Sequence, residues 1–226
     1  AREHGGLNPS GELRKRLMKY YLRSHACARA VLPSRTGDTF DLVIYRENTE
    51  GFYADRCMHT GVGELQVTEG VTLAMRRITR KASIQIAEAA FSGAMQRRKK
   101  VTAVHKQNVL KVTDGLFLSC CREVAKHYPE VDYDELIIDA ACAHLVRCPQ
   151  NFDVILTTNM FGDILSDLAS ELSGSLGLAA SVNAGHTQAM AQAQHGSAPD
   201  IAGQGIANPA SLIGSVGMLF EHLGSQ

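Results

Sequence analysis

The stretch Phe152-Asp-Val-Ile-Leu-Thr-Thr-Asn-Met-Phe-Gly-Asp-Ile-Leu-Ser-Asp167 decides how the chain is read. Phe152 to Thr157 is a short, nearly continuous apolar run, the pattern of a strand buried on both faces. A polar break follows, and Asp163 to Leu172 reads as a helix. Moving toward the N-terminus, the same alternation repeats. Glu135 to Asp139 (ELIID) reads as a strand followed by a helix to Val146. Lys100 to His105 reads as a strand, and Asp114 to His127 as a helix stopped by Tyr128-Pro129. Phe40 to Tyr45 (FDLVIY) is a further strand. After it, Glu69 to Arg98 carries Val71, Met75, Ile78, Ala82, Ile86, Ala90 and Met95 at mostly helical spacing. Such alternation predicts an α/β fold with a parallel or mixed sheet. Chemistry in such sheets collects at the carboxyl ends of the strands. Arg46, Lys106, Asp139 and Asn159 all stand at or just past one.

The remaining segments read differently. Tyr53 to Thr68, with Gly61 and Gly63, predicts a protruding hairpin. Gly174 to Asp200 is rich in Gly, Ala, Ser and Gln and reads as loop, and Asn208 to Leu223 as helix with Pro209 in its first turn. The 226 residues carry 23 Lys+Arg against 23 Asp+Glu, so the net charge is zero and the broad attraction of a general nucleic-acid binder is excluded. No apolar run approaches the roughly 20 residues that span a bilayer, and Ala1 to Gly6 holds no signal-peptide core. A soluble, cytoplasmic protein with a small-molecule or protein partner is expected. Cys27, Cys57, Cys120, Cys121, Cys142 and Cys148 form no Cys-x-x-Cys pair. Cys142, His144 and Cys148 sit in an apolar stretch, where buried Cys acts as a small hydrophobe rather than as a zinc ligand.

Four motifs carry possible chemistry. Asp163 and Asp167 are four apart on a helix, on one face, where two hard oxygen donors can share a divalent cation; acids decorating a helix start are the alternative. Asp139 is a third candidate carboxylate, and a carboxylate set suits Mg²⁺ or Mn²⁺ better than zinc. Arg46 opens Arg46-Glu-Asn-Thr-Glu-Gly51, and Arg is the natural bidentate partner of a carboxylate. Arg14, Arg16 and Arg23 lie on an upstream segment read as helical that could face the same cleft. Lys106 follows a strand; as a general base it needs a nearby positive charge or desolvation to lose its proton, and a solvated surface Lys is the alternative. His195 to Pro209 is a Gly/Ala/Pro loop whose backbone could approach a ligand closely, with Asp200 able to accept from a ribose diol. No Gly-x-Gly-x-x-Gly turn occurs in the chain.

Taken together, these motifs resemble the isocitrate/isopropylmalate dehydrogenase family, the metal-dependent β-decarboxylating dehydrogenases, from about Leu7 to Leu223. The resemblance is carried in order by RENTEG with Tyr53 seven residues after Arg46, KxNVxKxTxG from Lys106, DxxxxHLVR from Asp139, NxFGDILSD from Asn159 and HGSAPDIAGxGxANP from His195. It implies a two-domain isopropylmalate dehydrogenase-like fold with an incomplete larger domain. Residues 24–173 would be a small dimerising domain with an arm near 53–68, and 1–23 with 174–226 a remnant of the nucleotide-binding domain. It further implies that Arg14, Arg23 and Arg46 bind substrate carboxylates, that Tyr53 and Lys106 are the catalytic acid/base pair, and that Asp139, Asp163 and Asp167 hold Mg²⁺ or Mn²⁺. His195, Gly196, Ala198, Asp200, Ile201 and Asn208 would line the nucleotide site, with Asp200 selecting NAD over NADP. The implied reaction is NAD-dependent oxidative decarboxylation of a 3-substituted malate by a homodimer. Lys106 and Asp139 would act across the dimer interface.

The sequence departs from the family pattern in places. It starts close to the substrate-binding segment and stops soon after Leu223, which implies a truncated member; a dimerising remnant without turnover is the alternative function. Arg14 and Arg23 are nine apart where ten is usual, and Gln192-Ala193-Gln194 stands where many members have Glu-Pro-Val. Asn8-Pro9-Ser10-Gly11 is polar, which leans away from an isopropyl pocket.

Overall fold

Short runs of branched side chains build the centre of the molecule. The structure, a computed structural model, describes the backbone of residues 22–27 and describes residues 39–53, 63–185 and 188–224 with their side chains. A seven-stranded sheet runs β6-β5-β7-β2-β1-β8-β9. Its strands are β1 (Leu22–Cys27), β2 (Leu42–Arg46), β5 (Lys100–His105), β6 (Asp132–Ile137), β7 (Val154–Thr157), β8 (Ala180–Ala184) and β9 (Ala189–Ala191). β6, β5, β7 and β2 are mutually parallel, whereas β1 is antiparallel to both β2 and β8, and β9 to β8. The sheet is mixed α/β, as the alternation predicts.

Both faces of the parallel part are covered. Helices α1 (Arg80–Met95) and α2 (Thr113–Ala125) pack Ile86, Phe91, Phe117 and Leu118 against Val101, Ala103, Val154 and Leu156. On the other face α3 (Ile138–Arg147) and α4 (Asn159–Leu172) bring Leu145, Leu165 and Ala169 onto Leu42, Ile44, Val104 and Ile155. Residues 154, 155 and 156 thus alternate between the two cores, as period-two strand geometry requires. Each fully buried Leu, Ile or Phe contributes about 1.5–3 kcal/mol on removal from water.

Several expectations need correction. Residues 69–79 are not helical: β4 (Val71–Ala74) pairs with β3 (Glu64–Thr68) in a separate hairpin, turning at Gly70 with φ 77°, and α1 starts only at Arg80 behind the Thr79 cap. Val71 and Met75, four apart, fit one face of a helix and one face of an alternating strand alike, so their spacing does not separate the two. The described hairpin spans 64–74 and overlaps the expected 53–68 at β3, while residues 54–62 of that expectation lie outside the described residues. Asp139 does not close a strand; β6 ends at Ile137, and Asp139 is in the first turn of α3, where a carboxylate suits the helix dipole. Residues 174–200 are not all loop, because β8 and β9 are formed there. Arg23 is in β1, an extended strand opposite Arg46, rather than on a helix. α5 (Ala210–Gly224) closes the described chain and lies on β8, where a Cβ on Gly214 would stand 3.1 Å from that of Ala180.

Candidate active site

Because β6, β5, β7 and β2 are adjacent and parallel, their carboxyl ends line up. Asp139, Lys106, Asn159 and Arg46 follow one another along that edge. Arg46 ends β2 and is buried, with 3% of its side chain exposed. Asn159 opens α4 and accepts through Oδ1 from Arg46 Nε at 3.1 Å and Nη2 at 2.8 Å, while its own Nδ2 donates to the Glu50 carbonyl at 2.7 Å. The Arg46 stem lies across the bare backbone of α4, since a Cβ on Gly162 would be 2.5 Å from Arg46 Cγ. Arg46 Nη1 donates to Asp163, and the Tyr53 hydroxyl donates to the other Asp163 oxygen at 2.8 Å. The guanidinium also sits 5.8 Å from the Tyr53 ring centre.

One strand further along, Lys106 pairs with Asp139 and holds its carboxyl below the usual range. Asp167 is exposed and accepts from Gln194 at 3.0 Å. The structure therefore brings Arg46, Tyr53 and Asp163 into one group and Lys106 with Asp139 into another. Among the described residues of one chain, no three His, Cys, Asp or Glu side chains form a group able to hold a metal ion. The donors are nevertheless the hard carboxylate oxygens that Mg²⁺ or Mn²⁺ prefers. Asp163 and Asp167, one helical turn apart on α4, supply two such donors, while Asp139 is paired with Lys106.

Two carboxylates shape the RENTEG turn. Buried Glu47 accepts from the backbone N–H of Thr49 at 2.6 Å and of Glu50 at 3.2 Å; burial pushes its pKa up. Glu50 accepts from the Thr79 N–H at 2.6 Å, and burial, with Glu47 nearby, pushes it up to about 7. Asn48, also buried, donates to Asn183 at 2.8 Å, and Asn183 donates to Gln192 at 3.4 Å. These amides tie the RENTEG turn to the strands that lead into the His195 loop.

His195, Gly196, Ala198, Asp200, Ile201 and Asn208 are together on that loop, mostly exposed, between β9 and α5. Ala198 is left-handed at φ 41°, as are Gly203 at 80° and Gly205 at 68°. The Ala210 N–H donates to Asn208 Oδ1 at 2.9 Å, so Asn208 also serves the start of α5. Arg14 lies outside the described residues, as does the side chain of Arg23. Sequence reading missed the buried Arg76 and Asp114, whose pairing joins positions far apart in the chain. Asp114 was in view only as a member of the Lys106 motif, and nothing in the pattern pointed to Arg76.

In α/β sheets, ligands bind beyond the carboxyl ends of the strands, the edge on which Arg, Lys, Tyr and Asp gather here. The model of one family, isocitrate/isopropylmalate dehydrogenase, matches residues 11–226, and the chain belongs to that family. It is 54% identical over 185 residues to 3-isopropylmalate dehydrogenase of Archaeoglobus fulgidus, covering 81% of this chain and 54% of that protein. To the mitochondrial NAD-dependent isocitrate dehydrogenase catalytic subunit 5 of Arabidopsis thaliana it is 49% identical, covering 82% and 48%. The crystal structure of isocitrate dehydrogenase from Methylococcus capsulatus superposes with a TM-score of 0.82 at 45% identity, covering 90% of this chain and 60% of that one. The chain spans about half the length of the curated relatives it matches.

Proposed function

We propose that the protein catalyses NAD-dependent oxidative decarboxylation of a 3-substituted malate as a homodimer with shared sites, using Mg²⁺ or Mn²⁺. The observation that carries this reading is the division of the carboxyl edge: Arg46, Tyr53 and Asp163 in one group, Lys106 and Asp139 in another. Arg46 binds a substrate carboxylate, its guanidinium already oriented by Asn159. Arg14 and Arg23 add further carboxylate contacts. Lys106 from the partner subunit takes the substrate hydroxyl proton, and NAD, when bound, would supply the hydride acceptor. After CO₂ leaves, the Tyr53 hydroxyl returns a proton to the substrate carbon. A divalent cation held by Asp163, Asp167 and the partner's Asp139 supplies Lewis-acid polarisation of the substrate oxygens when bound. The His195 loop would hold the nucleotide, where the Asp200 carboxylate would accept from a ribose diol and disfavour a 2′-phosphate.

Dimerisation is supported by the hairpin. Leu65 and Leu73, a cross-strand pair, are each 53% exposed, and Val67, Val71 and Met75 are exposed too. A lone two-stranded ribbon is marginal in water, and a second chain covering residues 64–74 would bury this apolar surface. Residues 24–173 form the dimerising part, and the C-terminal strands and helix belong to the nucleotide side. No helix among the described residues is long and apolar enough to cross a membrane, and the four described cysteines are free thiols, which suits a reducing cytoplasm.

The test is NADH formation with Mn²⁺ across isocitrate, isopropylmalate, homoisocitrate, tartrate and malate, on the full-length protein. Reduction with one of them establishes the reaction and identifies the C3 group; silence from a folded dimer leaves the chain a dimerising remnant. Shared sites are tested by mixing Lys106→Met with Asp163→Asn chains. Each inactive homodimer lacks both sites, whereas a mixed dimer regains one, and a verified mixed dimer without activity refutes sharing. Replacing Leu65 and Leu73 by Glu should shift the protein to monomer in sedimentation.

A further inference from the structure

Arg76 and Asp114 form an ion pair in the interior, with 6% and 0% of their side chains exposed. Taking both charges out of water is costly, and apolar residues of similar size often serve stability as well or better. The contacts of this pair show what it does besides pairing. Arg76 donates to Thr113 Oγ1 at 2.9 Å and to Thr158 Oγ1 at 2.9 Å. Its guanidinium lies 5.9 Å from the ring of Phe52 and 5.4 Å from that of Phe161. The second Asp114 oxygen accepts from the backbone N–H of Lys106 at 2.6 Å.

Apart from Thr113, which adjoins Asp114 itself, each contact reaches a residue of the candidate site or one close to it in the chain. Phe52 precedes Tyr53, Thr158 precedes Asn159, and Phe161 is two residues before Asp163. Lys106 is held directly, by its own backbone. Arg76 itself follows the last residue of β4 by two positions, so it also stands at the root of the hairpin. We propose that Arg76 and Asp114 are positioning residues: they hold the Lys106 backbone, the Tyr53 turn and the start of α4 in one register, and connect that register to the hairpin. This rests on the role given to Lys106 above. A fixed Lys106 backbone limits where its amine can reach, and displacements of about 1 Å at a reacting group can cost on the order of 10²-fold in rate.

Arg76→Met, Arg76→Lys and Thr158→Val in the full-length protein test the proposal. Thr158→Val deletes one bond to Arg76 with little change in shape and serves if Arg76→Met does not fold. The readouts are kcat, KM for NAD, and the rate of reductive methylation of Lys106 followed by mass spectrometry. Arg76→Met is expected to lower kcat by roughly 10- to 100-fold with KM for NAD nearly unchanged, and Thr158→Val by about threefold. Both are expected to speed methylation of Lys106, and Arg76→Lys, which keeps the cation, to recover most of both signals. A lower melting temperature with wild-type kcat and wild-type labelling of Lys106 would overturn the proposal and leave the pair purely structural. If the wild-type protein turns over no substrate, the functional reading fails. Lys106 labelling then decides the positioning role alone, altered labelling upholding it and unaltered labelling refuting it.

Discussion

At the amino edge of the parallel strands Arg97 and Arg98 close over Asp153 and Asp41; at the carboxyl edge Arg46 and Lys106 close over Asp163 and Asp139. Asp153 is 2% exposed and has Arg97 at 2.8 Å and Arg98 at 3.6 Å. Further guanidinium protons go to the Asp41 carbonyl, at 3.1 and 3.0 Å, and to that of Phe152. Lys99 and Lys100 are paired as well, with Glu130 and Asp134. The basic run 97–100 is thus consumed within the fold. At the carboxyl edge the balance is reversed: Arg46 is buried, but Asp163 is 45% exposed and Asp139 62%. A half-exposed carboxylate keeps part of its hydration and exchanges partners at less cost than a buried one such as Asp153. One edge is locked, and the other can trade its internal partners for a ligand.

Swapping the same substitution between the edges tests this contrast most sharply. Arg46→Met should lower kcat/KM by on the order of 10²-fold or more, as expected for loss of a charged hydrogen-bonding group that holds substrate. Its melting temperature should change less than that of Arg97→Met. Arg97→Met should leave turnover per folded molecule unchanged but cost about 2 kcal/mol of stability, since Asp153 stays buried with a weaker partner. Steady-state kinetics and urea unfolding on both variants separate the outcomes. Equal kinetic losses would abolish the distinction between the edges.

The contrast also explains what the sequence made legible. β2, β5 and β7 were visible because strands covered on both faces must be apolar throughout, and Arg46, Lys106 and Asn159 because polar residues after such runs mark the edge. β8 and β9 were not. ASVNA and AMA carry few branched side chains, and their place depends on α5, which offers Ser215 Oγ to the Ser181 N–H at 2.9 Å. Residues 71–75 read as helix because Val71 and Met75, four apart, satisfy two periodicities at once. Arg76 and Asp114 lie 38 residues apart and meet only in three dimensions.

A smaller perturbation of the open edge is available at Gly162. Gly162→Ala puts a methyl where Arg46 Cγ lies within 2.5 Å, on a helix whose other residues tolerate side chains. Arg46 must shift off Asn159 and Asp163. The expected result is a rise of about tenfold in substrate KM with a stability loss of about 1–2 kcal/mol. An unchanged KM would mean that Arg46 does not bind substrate from its observed position.

The smallest effect concerns the two buried carboxylates that the edges hold. Asp153 has two arginines against it, whereas Glu50 faces the half-exposed Arg77 at 4.0 Å. Burial therefore dominates at Glu50 and raises its carboxyl from 4.5 to about 7. The folded state then binds a proton that the unfolded chain has lost, so between pH 4.5 and about 7 the contribution of Glu50 to stability falls as pH rises, and it levels off above. Glu50→Gln keeps an oxygen to accept the Thr79 N–H but cannot ionise. Relative to wild type, its melting temperature should rise progressively through that window and be highest, by comparison, near pH 8. A difference that stays flat across the window would mean that Glu50 is ionised in the folded protein at little cost, and the open edge would then be as well compensated as the closed one.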